Sequence, residues 1–211
     1  LREVDFCGHA TVATAVAWAE RVGAGELVFE TAAGDIPIQV VEESGGLRAT
    51  LTSVPTGVTS AAPSDVDEVL ESIGWRRSEL DPDLPPRVAF GGVSHLVMAA
   101  GSRRRLADLA YDFDRLEALM LERRWITLQL VWRESDSLYH SRNPFPVGGV
   151  VEDPATGAAA AALGGYVREV LGSTGRFRIR QGEDIGRPSD LWVDASEARV
   201  RVSGFGQRIP G

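Results

Sequence analysis

Two places in the sequence put proton-handling side chains where a helix should begin. In Gly8-His9-Ala10-Thr11 an imidazole follows a glycine and opens a small-residue run that continues to Ala19. In Glu152-Asp153-Pro154-Ala155-Thr156-Gly157 a carboxylate precedes a proline and then the run Ala158-Ala159-Ala160-Ala161-Ala162. Imidazole and carboxylate are the usual general acid–base groups near neutral pH. At a helix N-terminus His9 would meet the positive end of the dipole, which favours the neutral ring. The spacing predicts Asp153 as an N-cap with Pro154 in the first helical position. Capping does not exclude chemistry, since one carboxylate oxygen can cap while the other faces a ligand. The N–H groups that each helix start leaves unpaired suit an anion such as a carboxylate.

The elements that must carry these groups are legible around them. The alanine run has high helix propensity and almost no bulk, so it belongs in the middle of a core. Aligning Ala10-Thr11 with Ala155-Thr156 sets His9 against Pro154 and Gly8 against Asp153. Helices are expected over about 8–22 and 154–171, each followed by three strands: 27–31, 36–41 and 47–52 after the first, 176–181, 190–194 and 199–203 after the second. A helix and a three-strand meander occurring twice reads as an internal duplication, with each helix the buried centre of one lobe. Between the two copies lie a helix at 66–73, strands at 88–90, 94–99, 125–132 and 138–142, and helices at 103–109 and 114–124. The proline-rich connection Trp75 to Pro86 is the expected boundary, giving lobes of 1–85 and 86–211. Residues 1–6 read as the end of a strand with no initiator Met before it, which suggests chain upstream.

Composition removes several classes of function. The 22 basic residues are all arginine, so Schiff-base lysine chemistry and a Walker lysine are excluded. A net charge of -8 argues against nucleic acid. The three histidines, His9, His95 and His140, and the single Cys7 are too far apart in sequence to form a metal-ligand motif. One cysteine permits no internal disulfide and points to the cytoplasm. No apolar run is long enough to span a membrane, and the first residues lack a signal-peptide pattern.

Four motifs in order, Asp5-Phe6-Cys7-Gly8-His9-Ala10-Thr11, Ser94-His95-Leu96-Val97, Gly149-Val150-Val151-Glu152-Asp153-Pro154-Ala155-Thr156-Gly157, and Gln181-Gly182 followed by Gly186-Arg187-Pro188-Ser189, resemble the phenazine-biosynthesis (PhzF-like) family. The similarity runs from residue 1 to about 204. It implies the α+β, diaminopimelate-epimerase-like fold, in which two pseudo-symmetric lobes each wrap an antiparallel half-barrel around a central helix and the ligand lies between them. It implies an isomerase or epimerase-like enzyme that needs no cofactor, moves a proton on a small-molecule carboxylate, and works as a homodimer. By that resemblance His9 and Asp153 are catalytic, and Gly8, Ala10, Thr156, Gly157, Gln181 and Gly182 bind substrate. The family's isomerase takes its proton carrier, a glutamate, from a strand that would precede Leu1, and it has a serine where this chain has Ala158. Epimerases of the same fold use two cysteines; Cys7 stands near the first, but Pro154 occupies the second position and rules out that mechanism. A binding protein on the same scaffold, or a fragment that needs a partner chain, are the alternative readings.

The remaining polar residues receive plainer expectations. Cys7 is expected to be structural, Glu152 to face outward, and His95 to be a satisfied core histidine. Arg142 is expected in solvent unless it pairs a substrate carboxylate. Gly204-Phe205-Gly206 lacks the strand–turn–helix context of a nucleotide motif.

Overall fold

The computed structural model describes residues 7–206, so the strand expected over 1–6 lies outside the described residues. The first helix is α1 (Gly8–Val22), and β1 (Gly25–Thr31), β2 (Gly34–Glu43) and β3 (Gly46–Pro55) follow as an antiparallel meander. Next come β4 (Gly57–Ser60), α2 (Pro63–Ser72), β5 (Arg87–Phe90), β6 (Ser94–Ala99), α3 (Arg103–Ala107), α4 (Phe113–Arg123), β7 (Trp125–Ser135) and β8 (Leu138–Phe145). The chain ends with β9 (Val150–Asp153), α5 (Gly157–Val170), β10 (Arg176–Gln181), β11 (Ser189–Asp194) and β12 (Arg199–Phe205). Gly204-Phe205 thus lies in a strand, away from any nucleotide-type turn.

The strands form one mixed sheet in the order β1-β2-β3-β12-β11-β10-β8-β7-β6-β5-β4, with β9 paired to β8 beside this path. Most pairs are antiparallel; β6 with β7 and β8 with β10 are parallel. The last strand therefore closes the middle of the sheet, pairing β3 through Val202↔Leu51 and β11 through Val193↔Val202. The short strand β4 was missed by the sequence reading. It pairs with β5, and α2 packs its Val66, Val69 and Leu70 into a second hydrophobic cluster with Leu96, Leu116 and Met120.

The helix expected from 154 begins at Gly157 instead. Asn143↔Asp153 and Pro144↔Glu152 commit those backbones to the β8–β9 ladder, so Thr156, not Asp153, stands at the N-cap. From Gly157 to Val167 every residue of α5 is buried, enclosed by β4, β5, β6, β7, β11 and β12. The alanine run makes this possible, because strands can approach a helix that has only methyl groups to offer. By contrast α1 buries one face, formed by Gly8, Thr11, Ala15, Val16 and Ala19 against β3 and its neighbours. Its other face is open, with Trp18 at 53% and Val22 at 63% exposure. Among the described residues β1, β2, β3, β12 and the start of α5 cover one side of α1, so it is less enclosed there than the buried lobe centre the sequence led us to expect.

Candidate active site

The helices α1 and α5 meet N-terminus to N-terminus. A methyl group placed on Gly8 would come within 2.7 Å of Gly157 Cα and 2.9 Å of Ala158 N, so the contact depends on glycine at position 8, and a methyl on Gly157 would sit a tight 3.1 Å from Gly8 Cα. The cleft at this junction is lined by Cys7, Gly8, His9, Val93, His95, Ile126, Thr127, Phe145, Asp153, Thr156, Gly157 and Ala158. Residues from both helix starts thus line one space. A second hollow, at the far end of α1 between Trp18, Val22 and Leu27, has Glu26 as its one ionisable lining residue.

Asp153 divides its two oxygens. Oδ2 accepts from the Thr156 hydroxyl at 2.8 Å, while Oδ1 lies 3.8 Å from His9 Nδ1, an ion-pair distance. The Ala155 N–H also reaches Oδ1 at 3.4 Å. Behind this pair stands Gln181, which is buried and fully occupied. Its Oε1 accepts from the Thr156 N–H at 3.1 Å, and its Nε2 donates to the Asp153 carbonyl at 2.6 Å and to the Thr156 hydroxyl at 2.9 Å. Gly182 takes a positive φ of 78° and starts the turn at Glu183–Ile185; a side chain there would strike the Arg187 and Pro154 carbonyls. Gln181 and Gly182 therefore fix the β9–α5 connection from behind, outside the cleft lining, and Ala10 is likewise absent from that lining.

Two sequence expectations change here. Glu152 is buried rather than outward-facing, and its partner is Arg142. The guanidinium donates from Nε to both carboxylate oxygens, at 3.2 and 3.1 Å, and from Nη2 at 2.6 Å, while Nη1 donates to the Ala107 carbonyl at 2.8 Å. Arg142 is thus neither solvated nor available to a substrate; it anchors the strand that ends in Asp153. His140 is held by carboxylates at both ring nitrogens, Glu183 at 2.8 Å and Glu134 at 2.7 Å, and so ties the turn after Gly182 to the sheet.

His95 is the residue the sequence reading undervalued. It is fully buried, lines the cleft, and bonds Thr127 Oγ1 through Nδ1 at 2.9 Å, but its Nε2 has no partner among the described residues. An unpaired buried polar atom costs about 1–3 kcal/mol, so it calls for an explanation. A signal was present: Thr127 and Gln129 on β7, and Ser141 and Asn143 on β8, are polar at alternate positions, and all four are buried.

A family model described as "phenazine biosynthesis-like protein" matches residues 1–208. The chain belongs to this family. Among its relatives is an "uncharacterized isomerase" of Deinococcus radiodurans, 29% identical over 95% of this chain and 68% of the relative. The trans-2,3-dihydro-3-hydroxyanthranilate isomerase of Pseudomonas chlororaphis is 29% identical over 98% of this chain and 73% of its own. Among solved structures, a "predicted epimerase" from Pseudomonas aeruginosa superposes with a TM-score of 0.82 at 23% identity, covering 97% of this chain and 72% of the other, which establishes the shared fold.

The electrostatics of the cleft separate its two histidines. The Asp153 carboxylate raises the His9 pKa above its ordinary value, against opposition from partial burial and from Arg187. The sequence expected a neutral ring from the helix dipole; the adjacent carboxylate outweighs that effect. Burial pushes His95 the other way, down to about 4, opposed first by the Thr127 backbone and then by the Asp153 charge. At neutral pH His95 is therefore a neutral ring, while His9 and Asp153 stand as a close imidazole–carboxylate pair at 3.8 Å.

Proposed function

We propose that this protein is a cofactor-independent isomerase that moves a proton between two positions of a small carboxylic acid bound at the junction of α1 and α5. The observation that carries this reading is the meeting of two helix N-termini beside the His9–Asp153 pair. The helix starts hold the substrate carboxylate and stabilise the negative charge that develops when a carbon-bound proton leaves. One member of the pair removes that proton and its conjugate acid returns a proton at the second position, so the reaction needs no external oxidant or reductant. The naming of family relatives as isomerases supports the class of reaction. In this reading α1 and α5 are the centres of two related lobes. The hand-over between the lobes falls near Thr56 rather than at 85/86, because β4 and α2 already pair with later elements.

The test is incubation with trans-2,3-dihydro-3-hydroxyanthranilate in D2O, following both turnover and deuterium incorporation. The expected result is exchange into product, reduced about 100-fold or more in Asp153→Asn and in His9→Gln. Saturable binding of this acid with neither exchange nor turnover would replace the isomerase by a binding protein on the same scaffold.

A further inference from the structure

We propose that His95 is a third polar contact of the cleft, a neutral ring whose Nε2–H donates a hydrogen bond to an oxygen of the bound acid. The proposal rests on the reading of the α1–α5 junction as a substrate site. Its ground is the unpartnered Nε2 of a fully buried side chain in the cleft wall. His140 shows what a satisfied histidine looks like in this molecule, with both ring nitrogens on carboxylates.

The hydrogen bonds behind the ring allow the Nε2–H tautomer. Gln129 Nε2 donates to Ser141 Oγ at 3.2 Å, and Ser141 Oγ donates to Asn143 Oδ1 at 2.6 Å. The Asn143 amide donates to Gln129 Oε1, closing a ring of three side chains, and also to Thr127 Oγ1 at 3.3 Å. Thr127 Oγ1 accepts from Asn143, and in this proposal it gives its own hydrogen to His95 Nδ1, 2.9 Å away. With Nδ1 accepting, the single proton of a neutral imidazole sits on Nε2. Burial keeps the ring neutral through the range in which His9 titrates, so the proton on Nε2 is held for binding rather than given up. A fixed N–H at the wall of an anion-binding cleft fits a carboxylate, carbonyl or hydroxyl oxygen, and His95 acts on the ligand's orientation without taking part in the proton shift.

The experiment uses protein labelled with 15N-histidine, with 3-hydroxyanthranilate, the aromatic counterpart of the relatives' substrate, as a probe that cannot isomerise. The free protein is expected to show the Nε2–H tautomer at His95. Adding the probe is expected to shift both the His95 Nε2 and the His9 signals. His95→Phe is expected to weaken probe binding roughly five- to tenfold, the scale of one lost neutral hydrogen bond. His95→Gln, which keeps a donor, is expected to recover part of that loss, and a thermal melt of each variant confirms that it folds. If His9 responds while His95 does not, and His95→Phe binds as tightly as the parent, His95 is a core residue and the proposal falls while the substrate site stands. If neither histidine responds and the parent does not bind, the substrate-site reading fails, and the His95 proposal fails with it.

Discussion

His9 and Asp153 lie 144 positions apart in sequence and 3.8 Å apart in space, and the carboxylate raises the pKa of the ring. Asp153→Asn removes the charge that raises the His9 pKa, so the His9 titration followed by NMR is expected to move to lower pH. In the parent, the stabilisation from this pair is present below the unfolded pKa of about 6.5 and is lost as pH rises through the raised folded value. His95 has the opposite sign. Its folded pKa of about 4 means that the unfolded chain binds more protons between pH 6.5 and 4, so stability is unaffected above that window and declines on acidification through it. Denaturant unfolding at pH 7 and pH 4.5 is expected to show this loss, on the order of 3 kcal/mol at the acid limit, with His95→Phe less sensitive. At the buried pair, Glu152→Gln or Arg142→Met alone is expected to cost about 3–5 kcal/mol, while replacing both by apolar residues costs far less. The His9 and Asp153 motifs were legible because chemistry and helix signals coincide in a few residues. The Arg142–Glu152 pair was not, because nothing in either local sequence says that β9 lies against β8.

At the scale of elements, α1 and α5 look alike in sequence and differ in surroundings. Both helices, and the meander after each, could be read from small residues and turn chemistry. How far each helix is enclosed depends on strand order, which local patterns do not encode. The difference is measurable with one kind of substitution. Ala161→Leu inserts bulk into a fully buried position and is expected to destabilise by about 1–3 kcal/mol or more. Ala17→Leu, on the open face of α1, is expected to stay within about 0.5 kcal/mol. Equilibrium denaturation of the two variants checks the contrast; equal losses would mean that α1 is enclosed as α5 is. Pro154 illustrates a local rule overruled: its fixed φ suits a first helical turn, yet the β8–β9 ladder holds the preceding residues extended and delays the helix to Gly157.

Over the whole molecule, one continuous sheet links β1 to β4, with the β3–β12 pair joining its two halves. Calorimetry is therefore expected to show a single cooperative transition, with calorimetric and van't Hoff enthalpies equal. Two resolved transitions would show that the halves on either side of that pair unfold separately. The mixed helix-and-strand class and the repeated meander were legible in the sequence. The partner of the final strand was not, since Val202 meets Leu51 across some 150 residues of chain.

That late pairing has a consequence during synthesis. Until β12 has left the ribosome, β3 and β11 each lack the neighbour that lies between them, and two rows of backbone donors and acceptors stand open in what will become the centre of the sheet. A nascent chain that has already made the β1–β3 meander and the β10–β11 pair still cannot complete the fold. Ribosome-stalled chains ending before Arg199 should be protease-sensitive and prone to aggregate, and the change to resistance should come abruptly once Phe205 emerges, rather than lobe by lobe.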